Sequence, residues 1–220
     1  MTRGQPGPNP TSATIRSALR RSASWTVPQW RTLRRDWSRA LRSRPASEVI
    51  RLALELVRDG GWGRLTAYEL VASHPGGISA LTPAAVARLG TGIADWVSAD
   101  TFGCYVAGPA WREGRLPTRV VHGWLGSPDR WQRRVGVVCT VALNVRARGG
   151  RGDPARTLAV CRRVVTDRDD MVVKALSWAL RSLVEWDRDA VAEFLEAHDE
   201  DLASRIKREV RTKLRTGLKN

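Results

Sequence analysis

The chain has 220 residues, enough for one well-buried domain with or without a tail, and it is strongly basic, with 37 Lys and Arg against 22 Asp and Glu. Its cysteines (Cys104, Cys139, Cys161) are isolated, odd in number and set in apolar text, which excludes a disulfide framework and reads as buried thiols in a reducing cytosol. His74, His122 and His198 lack metal spacing, no apolar run reaches the length of a membrane span, and the basic start lacks the hydrophobic stretch of a secretory signal.

Residues 1–11 are rich in Pro and Gly and are expected to be disordered. From Thr14 to Arg44, Trp30, Leu33, Trp37 and Leu41 recur at steps of three and four, while Arg31, Arg34, Arg35 and Arg39 cover the rest. Two readings stay open for this stretch: a DNA-contacting helix, or a surface helix docked through its tryptophans. Residues 1–46 are therefore set apart as a basic, partly disordered extension, and residues 47–220 as the folded domain. Helices are predicted from Ser47 to Val57, over 63–74, over 83–90 behind Thr82-Pro83, from Gly92 to about Tyr105, and over 117–125. Ser127-Pro128 starts a long helix to about Arg146, broken by Gly149-Gly150. Asp153-Pro154 opens the next, to Val165, followed by 169–185, 189–197 behind Asp187, and 200–215. No stretch alternates as a strand would.

Sliding the sequence by forty residues against itself aligns 129–138 (DRWQRRVGVV) with 169–178 (DDMVVKALSW). Acid falls on acid, Arg134 on Lys174, and apolar residues on apolar residues. A period near forty in helical text marks stacked helix pairs of the HEAT or armadillo type, so the expected fold is an all-α superhelix of antiparallel pairs with a concave basic groove. Chance similarity between two amphipathic helices is the rival account. The charge excess lies at the ends: +9 in residues 1–46, +6 in residues 205–220, and zero between them. Basic ends flanking a neutral core suit a polyanion, above all nucleic acid, although basic tails of no function give the same sum.

One polar and aromatic set stands out. Trp96 and Asp100 share a helix face, Arg134 is the repeated cation, and Lys174, Trp178 and Arg181 form a cation–aromatic–cation stripe suited to a nucleic-acid backbone. Plainer readings stand beside this one. The tryptophans can be core, Asp100 can cap a helix starting near Thr101, and Arg134 and Lys174 can pair with Asp129 and Asp170.

These segments resemble the DNA alkylation repair family, the AlkD-like glycosylases built from HEAT-like repeats. Trp96-Val97-Ser98-Ala99-Asp100, Trp131-Gln132-Arg133-Arg134-Val135 and Lys174-Ala175-Leu176-Ser177-Trp178-Ala179-Leu180-Arg181 carry the likeness, with Lys207-Arg208-Glu209-Val210-Arg211 similar to the family's basic last helix. It covers roughly residues 47–220 and finds no counterpart in the first 46. The resemblance implies Asp100 as the catalytic carboxylate, Trp96 and Trp178 as rings flanking the lesion's deoxyribose, and Arg134 as the phosphate-binding arginine beside it. Arg133, Lys174, Arg181, Lys207, Arg208 and Arg211 would be further DNA contacts. The implied activity is metal-independent and cofactor-free hydrolysis of the N-glycosidic bond of cationic alkylated purines in duplex DNA. The expected protein is monomeric and cytoplasmic, associated with the nucleoid when bound to DNA. A non-catalytic module that reads DNA shape, and a protein–protein scaffold, are the competing expectations.

Overall fold

The computed structural model describes residues 10–21 and 26–218, so the Pro- and Gly-rich start lies outside the described residues except for Pro10 and Thr11. Every regular element among the described residues is helical, and no helix among them is long and apolar enough to cross a membrane. The fold is all-α and HEAT-like. The chain divides into two compact units, Met1–Thr91 and Gly92–Asn220.

In the first unit the basic stretch is folded. Helix α1 (Ser12–Arg20) starts from a Thr11/Thr14 capping box and buries Ile15 completely. Helix α2 (Val27–Leu41) buries Trp30, Trp37 and Leu41 while Arg31, Arg35 and Arg39 stay exposed. Helix α1 packs against α3 (Ala46–Leu56) and α4 (Gly61–Ser73), and α2 packs against α4. The Trp30 indole donates to the Thr66 hydroxyl at 2.9 Å and its ring lies 5.0 Å from that of Trp62. Arg16 pairs with Asp59 at 2.7 Å and Arg34 with Glu69 at 2.6 Å. The tryptophans of α2 are therefore docking groups, as the plainer reading had it. A 3₁₀ turn, Val57–Asp59, follows α3, and α5 (Pro83–Gly90) begins where predicted, its Thr82 hydroxyl accepting from the Ala85 amide.

In the second unit α6 (Trp96–Phe102) runs through a π turn, Gly103–Ala107, into α7 (Gly108–Arg112). This helix passes the predicted end near Tyr105. The wider π turn, closed by the Gly108 amide donating to the Gly103 carbonyl, loosens the ladder just before Pro109, where a proline would otherwise break it. Then come α8 (Thr118–Leu125), α9 (Arg130–Val138), α10 (Val141–Asn144), α11 (Pro154–Arg163), α12 (Asp170–Leu183), α13 (Arg188–Ala197) and α14 (Ser204–Thr216). The long helix expected from 128 to 146 is interrupted at Cys139 and Thr140. The buried Thr140 hydroxyl donates back to the Val137 carbonyl at 2.7 Å and the Asn144 amide to the Thr140 carbonyl at 3.0 Å.

The pairs are α8 with α9, α11 with α12, and α13 with α14, and α6, α9, α12 and α14 pack in succession. Glycines permit the close approaches. A Cβ on Gly136 would lie 2.7 Å from Leu125 of α8, and one on Gly103 2.8 Å from Val138 of α9. The offset of forty has a structural counterpart. Asp129 and Asp169 cap α9 and α12 identically, each carboxyl accepting the amide two residues on, and each amide donating to Ser127 or Asp167 two residues back.

Candidate active site

The site is built on α6, α9 and the turn after α10. Asp95, not Asp100, caps α6: its carboxyl accepts the Ser98 amide at 2.8 Å. Asp100 is thus inside the helix, one turn beyond Trp96. Trp96 is 55% exposed, the most open of the described tryptophans. A ring of that size left in water has no packing reason to be there.

Asp100 faces Arg134 of α9. Nε donates to one carboxylate oxygen and Nη2 to the other, each at 2.8 Å, while Nη1 donates to the Met171 carbonyl. The side chains are 18% and 7% exposed. Arg134 does not pair with Asp129. Three of its five N–H groups are engaged, leaving one on each Nη. Burial lifts the Asp100 carboxyl above its ordinary value of 3.8, against the hydrogen bonds and charge of Arg134. A bidentate fork fixes the plane and position of a carboxylate that is short of water.

The sequence reading missed Arg148. It sits on the 3₁₀ turn Arg146–Arg148, closed by Gly149 at φ 78°, a left-handed conformation that suits glycine. Arg112 straps this turn by donating to the carbonyls of Ala142 and Arg148, both at 2.8 Å. The Arg148 guanidinium lies 5.1 Å from the ring centre of Tyr105 and 5.4 Å from that of Trp178. Its charge acts on Asp100 and on Cys104, and its Nη1 is buried with no hydrogen-bond partner. Arg148 thus sits against the rings of Tyr105 and Trp178 while its charge favours the ionised form of Asp100. The π turn contributes too: its extra residue leaves Tyr105 at 38% exposure on the open edge and sends Cys104 inside, where burial pushes the thiol up to about 12. The sequence signal, Arg-Ala-Arg-Gly-Gly at 146–150, is legible only as a helix end.

The other cations expected to contact DNA make ion pairs within the chain or stay exposed. Arg133 binds Asp167 at 2.7 Å and the carbonyls of Ser127 and Pro128, tying one repeat to the next. Lys174 pairs with Asp170 on its own helix at 2.6 Å, the surface pairing weighed from sequence. Arg181 is 12% exposed, bonded to Ser177 and 3.6 Å from Glu209 of α14. Lys207 and Arg211 both reach Asp199, and Arg208 is exposed. Among the described residues no three His, Cys, Asp or Glu side chains gather as a metal site needs.

Fold and site together define a helical-repeat protein that holds one oriented carboxylate beside exposed aromatic rings and two guanidinium groups. A family model described as DNA alkylation repair enzyme matches residues 15–214, and the chain belongs to that family. The match begins inside α1, so the basic N-terminal helices lie within the family's span and not outside it, as the motifs alone had suggested. No curated protein and no solved structure matches the chain.

Proposed function

We propose that the protein is a metal-independent DNA glycosylase that removes cationic alkylated purines, of the N3-methyladenine and N7-methylguanine type, from duplex DNA, acting as a monomer on nucleoid DNA. An N3- or N7-alkylated purine already carries positive charge, so it leaves without being protonated. Positive charge then develops on the sugar. Asp100 stabilises it and holds the attacking water; the C1′–N bond breaks with its electron pair going to the base, and the water oxygen bonds to C1′ as its proton passes to the Asp100 carboxylate, which returns it to solvent.

Arg134 keeps the carboxylate aimed, and its remaining N–H groups meet the adjacent phosphate. Trp96 and Trp178 flank the deoxyribose, worth about 0.5–2 kcal/mol each as cation–π partners of the charged lesion. Arg208 and the exposed cations of α14 add backbone contacts. The observation that carries this reading is the Asp100–Arg134 fork one turn from an exposed Trp96.

The test is incubation with methylated duplex DNA and measurement of free 3-methyladenine and 7-methylguanine. Release well above the spontaneous rate is expected. Salt-dependent duplex binding without release would select a non-catalytic reader of DNA shape instead. No duplex binding at low salt would leave the scaffold reading.

A further inference from the structure

The first unit holds a second cationic site that the chemistry at Asp100 does not use. A cavity is lined by Leu54, Val57, Arg58, Arg64, Arg88 and Thr91. Three of the six are arginines, and none is acidic.

Arg64 is the unusual member. It is 7% exposed, and its Nη1 donates to the Tyr68 hydroxyl at 3.0 Å and, at 3.5 Å, to the Leu89 carbonyl. Both acceptors are neutral. A guanidinium keeps its charge in any protein setting, and taking it out of water without a counter-charge is strongly unfavourable. The ion pairs of the first unit join Arg16 to Asp59, Arg34 to Glu69, Arg39 to Asp36 and Arg44 to Glu48. Among the described residues, none takes in Arg58, Arg64 or Arg88.

The arrangement is also organised. The Tyr68 hydroxyl that receives Arg64 donates in turn to the Leu89 carbonyl at 2.9 Å, so the buried guanidinium is held from one end. Arg58, on the turn after α3, and Arg88, near the end of α5, are exposed and approach from different elements. The Thr91 hydroxyl already donates to the Ala87 carbonyl at 3.1 Å, which leaves the arginines as the donors.

We propose that this cavity binds a phosphate group, with Arg64 as its fixed floor and Arg58 and Arg88 closing on the outer oxygens. A tetrahedral oxyanion brings the missing negative charge and several acceptors in one compact group, which three guanidinium groups arriving from separate elements can share. The phosphate is either a phosphodiester of bound DNA or a free phosphate. The site does not depend on base excision at Asp100.

The test uses the full chain, the double variant Arg58→Gln/Arg88→Gln, and a control, Arg31→Gln/Arg35→Gln, that removes equal charge from the exposed face of α2. Inorganic phosphate is titrated by calorimetry, and undamaged duplex is titrated by fluorescence anisotropy across a salt series. A free-phosphate site is shown if phosphate binds and the double variant weakens it at least about tenfold while the control does not. A backbone site is shown if phosphate does not bind, yet the double variant flattens the slope of log affinity against log salt by about 1–2 more than the control does. Phosphate binding equal in all three proteins overturns the proposal, as does its absence together with duplex binding no weaker than the control. Neither readout involves base release, so failure here and failure of the glycosylase reading are separable.

Discussion

Helices α9 and α12 begin alike and end in opposite chemistry. Each has an Asp cap taking the amide two residues on, and each carries a cation five residues past the cap. Arg134 is 7% exposed and locked to Asp100 of α6, whereas Lys174 is 39% exposed and paired with Asp170 of its own helix. The repeat sets the position of the cation; what the preceding helix brings to it decides its role. Helix α6 brings a carboxylate to α9, so a repeated scaffold position becomes part of the candidate site. A surface pair such as Lys174–Asp170 contributes about 0–1 kcal/mol, while breaking a buried fork by removing one partner costs about 3–5 kcal/mol.

That contrast can be broken at several points. The largest effect is expected for Asp100→Asn, which keeps the shape but loses the charge: base release should fall about 10²–10³-fold with duplex binding within about twofold, by single-turnover release and anisotropy. Next, Arg134→Ala should lower unfolding stability by about 3–5 kcal/mol in urea denaturation. Lys174→Ala should change it by less than about 1 kcal/mol. Equal losses would dissolve the distinction between the two helices. Arg148→Gln should leave stability near that of the parent and lower release about tenfold or more, because the Arg148 charge favours the ionised form of Asp100 that the reaction needs. The smallest effects belong to the caps: Asp129→Ala and Asp169→Ala should each cost about 1 kcal/mol.

Acid separates the site from the scaffold. Burial raises the Asp100 carboxyl above 3.8, so in the folded chain it takes up a proton at higher pH than in the unfolded chain. Release should therefore decline on an acid limb above the ordinary Asp range, while this group costs the fold nothing as pH falls. Glu209 behaves oppositely. Burial pushes it up, but hydrogen bonds from Ser177 and Arg205 and the charge of Arg181 outweigh that and hold it below 4.5. Its tie between α12 and α14 is complete above 4.5 and is lost as pH falls through the lowered value. Activity should thus fail before this part of the fold loosens, as activity and circular dichroism measured over one pH series will show.

Much of this was legible in the sequence because caps and periodicity are local. Thr82-Pro83, Asp153-Pro154 and Asp187 open helices where predicted, and the forty-residue offset coincides with matching caps. Asp100, Arg134 and Trp96 were singled out through spacing and resemblance, and the fork between the first two is a contact across 34 residues that spacing alone does not give. What stayed hidden depends on tertiary packing. The pairings of Arg133 and Arg181 were set by acids distant in sequence, Asp167 in the loop before α12 and Glu209 of α14. Arg148 required knowing which way the turn after α10 points. The spacing of Trp30, Trp37 and Leu41 showed a helix face in α2, but that this face is buried against α4, which makes the basic stretch part of the first unit's core, is a matter of tertiary packing. Trimming residues 1–46 would remove that core along with the charge, so the contribution of the basic end to DNA affinity is better tested by exposed point changes such as Arg20→Gln and Arg21→Gln at the end of α1.

The central claim is that one aimed carboxylate carries the chemistry. Its most direct measurement is the single-turnover rate of 7-methylguanine release from methylated duplex by the parent protein and by Asp100→Asn, both saturating the DNA. The account predicts rapid release by the parent and a rate near the spontaneous one for the variant. Equal rates, or no release by a parent protein that binds the duplex, would contradict it.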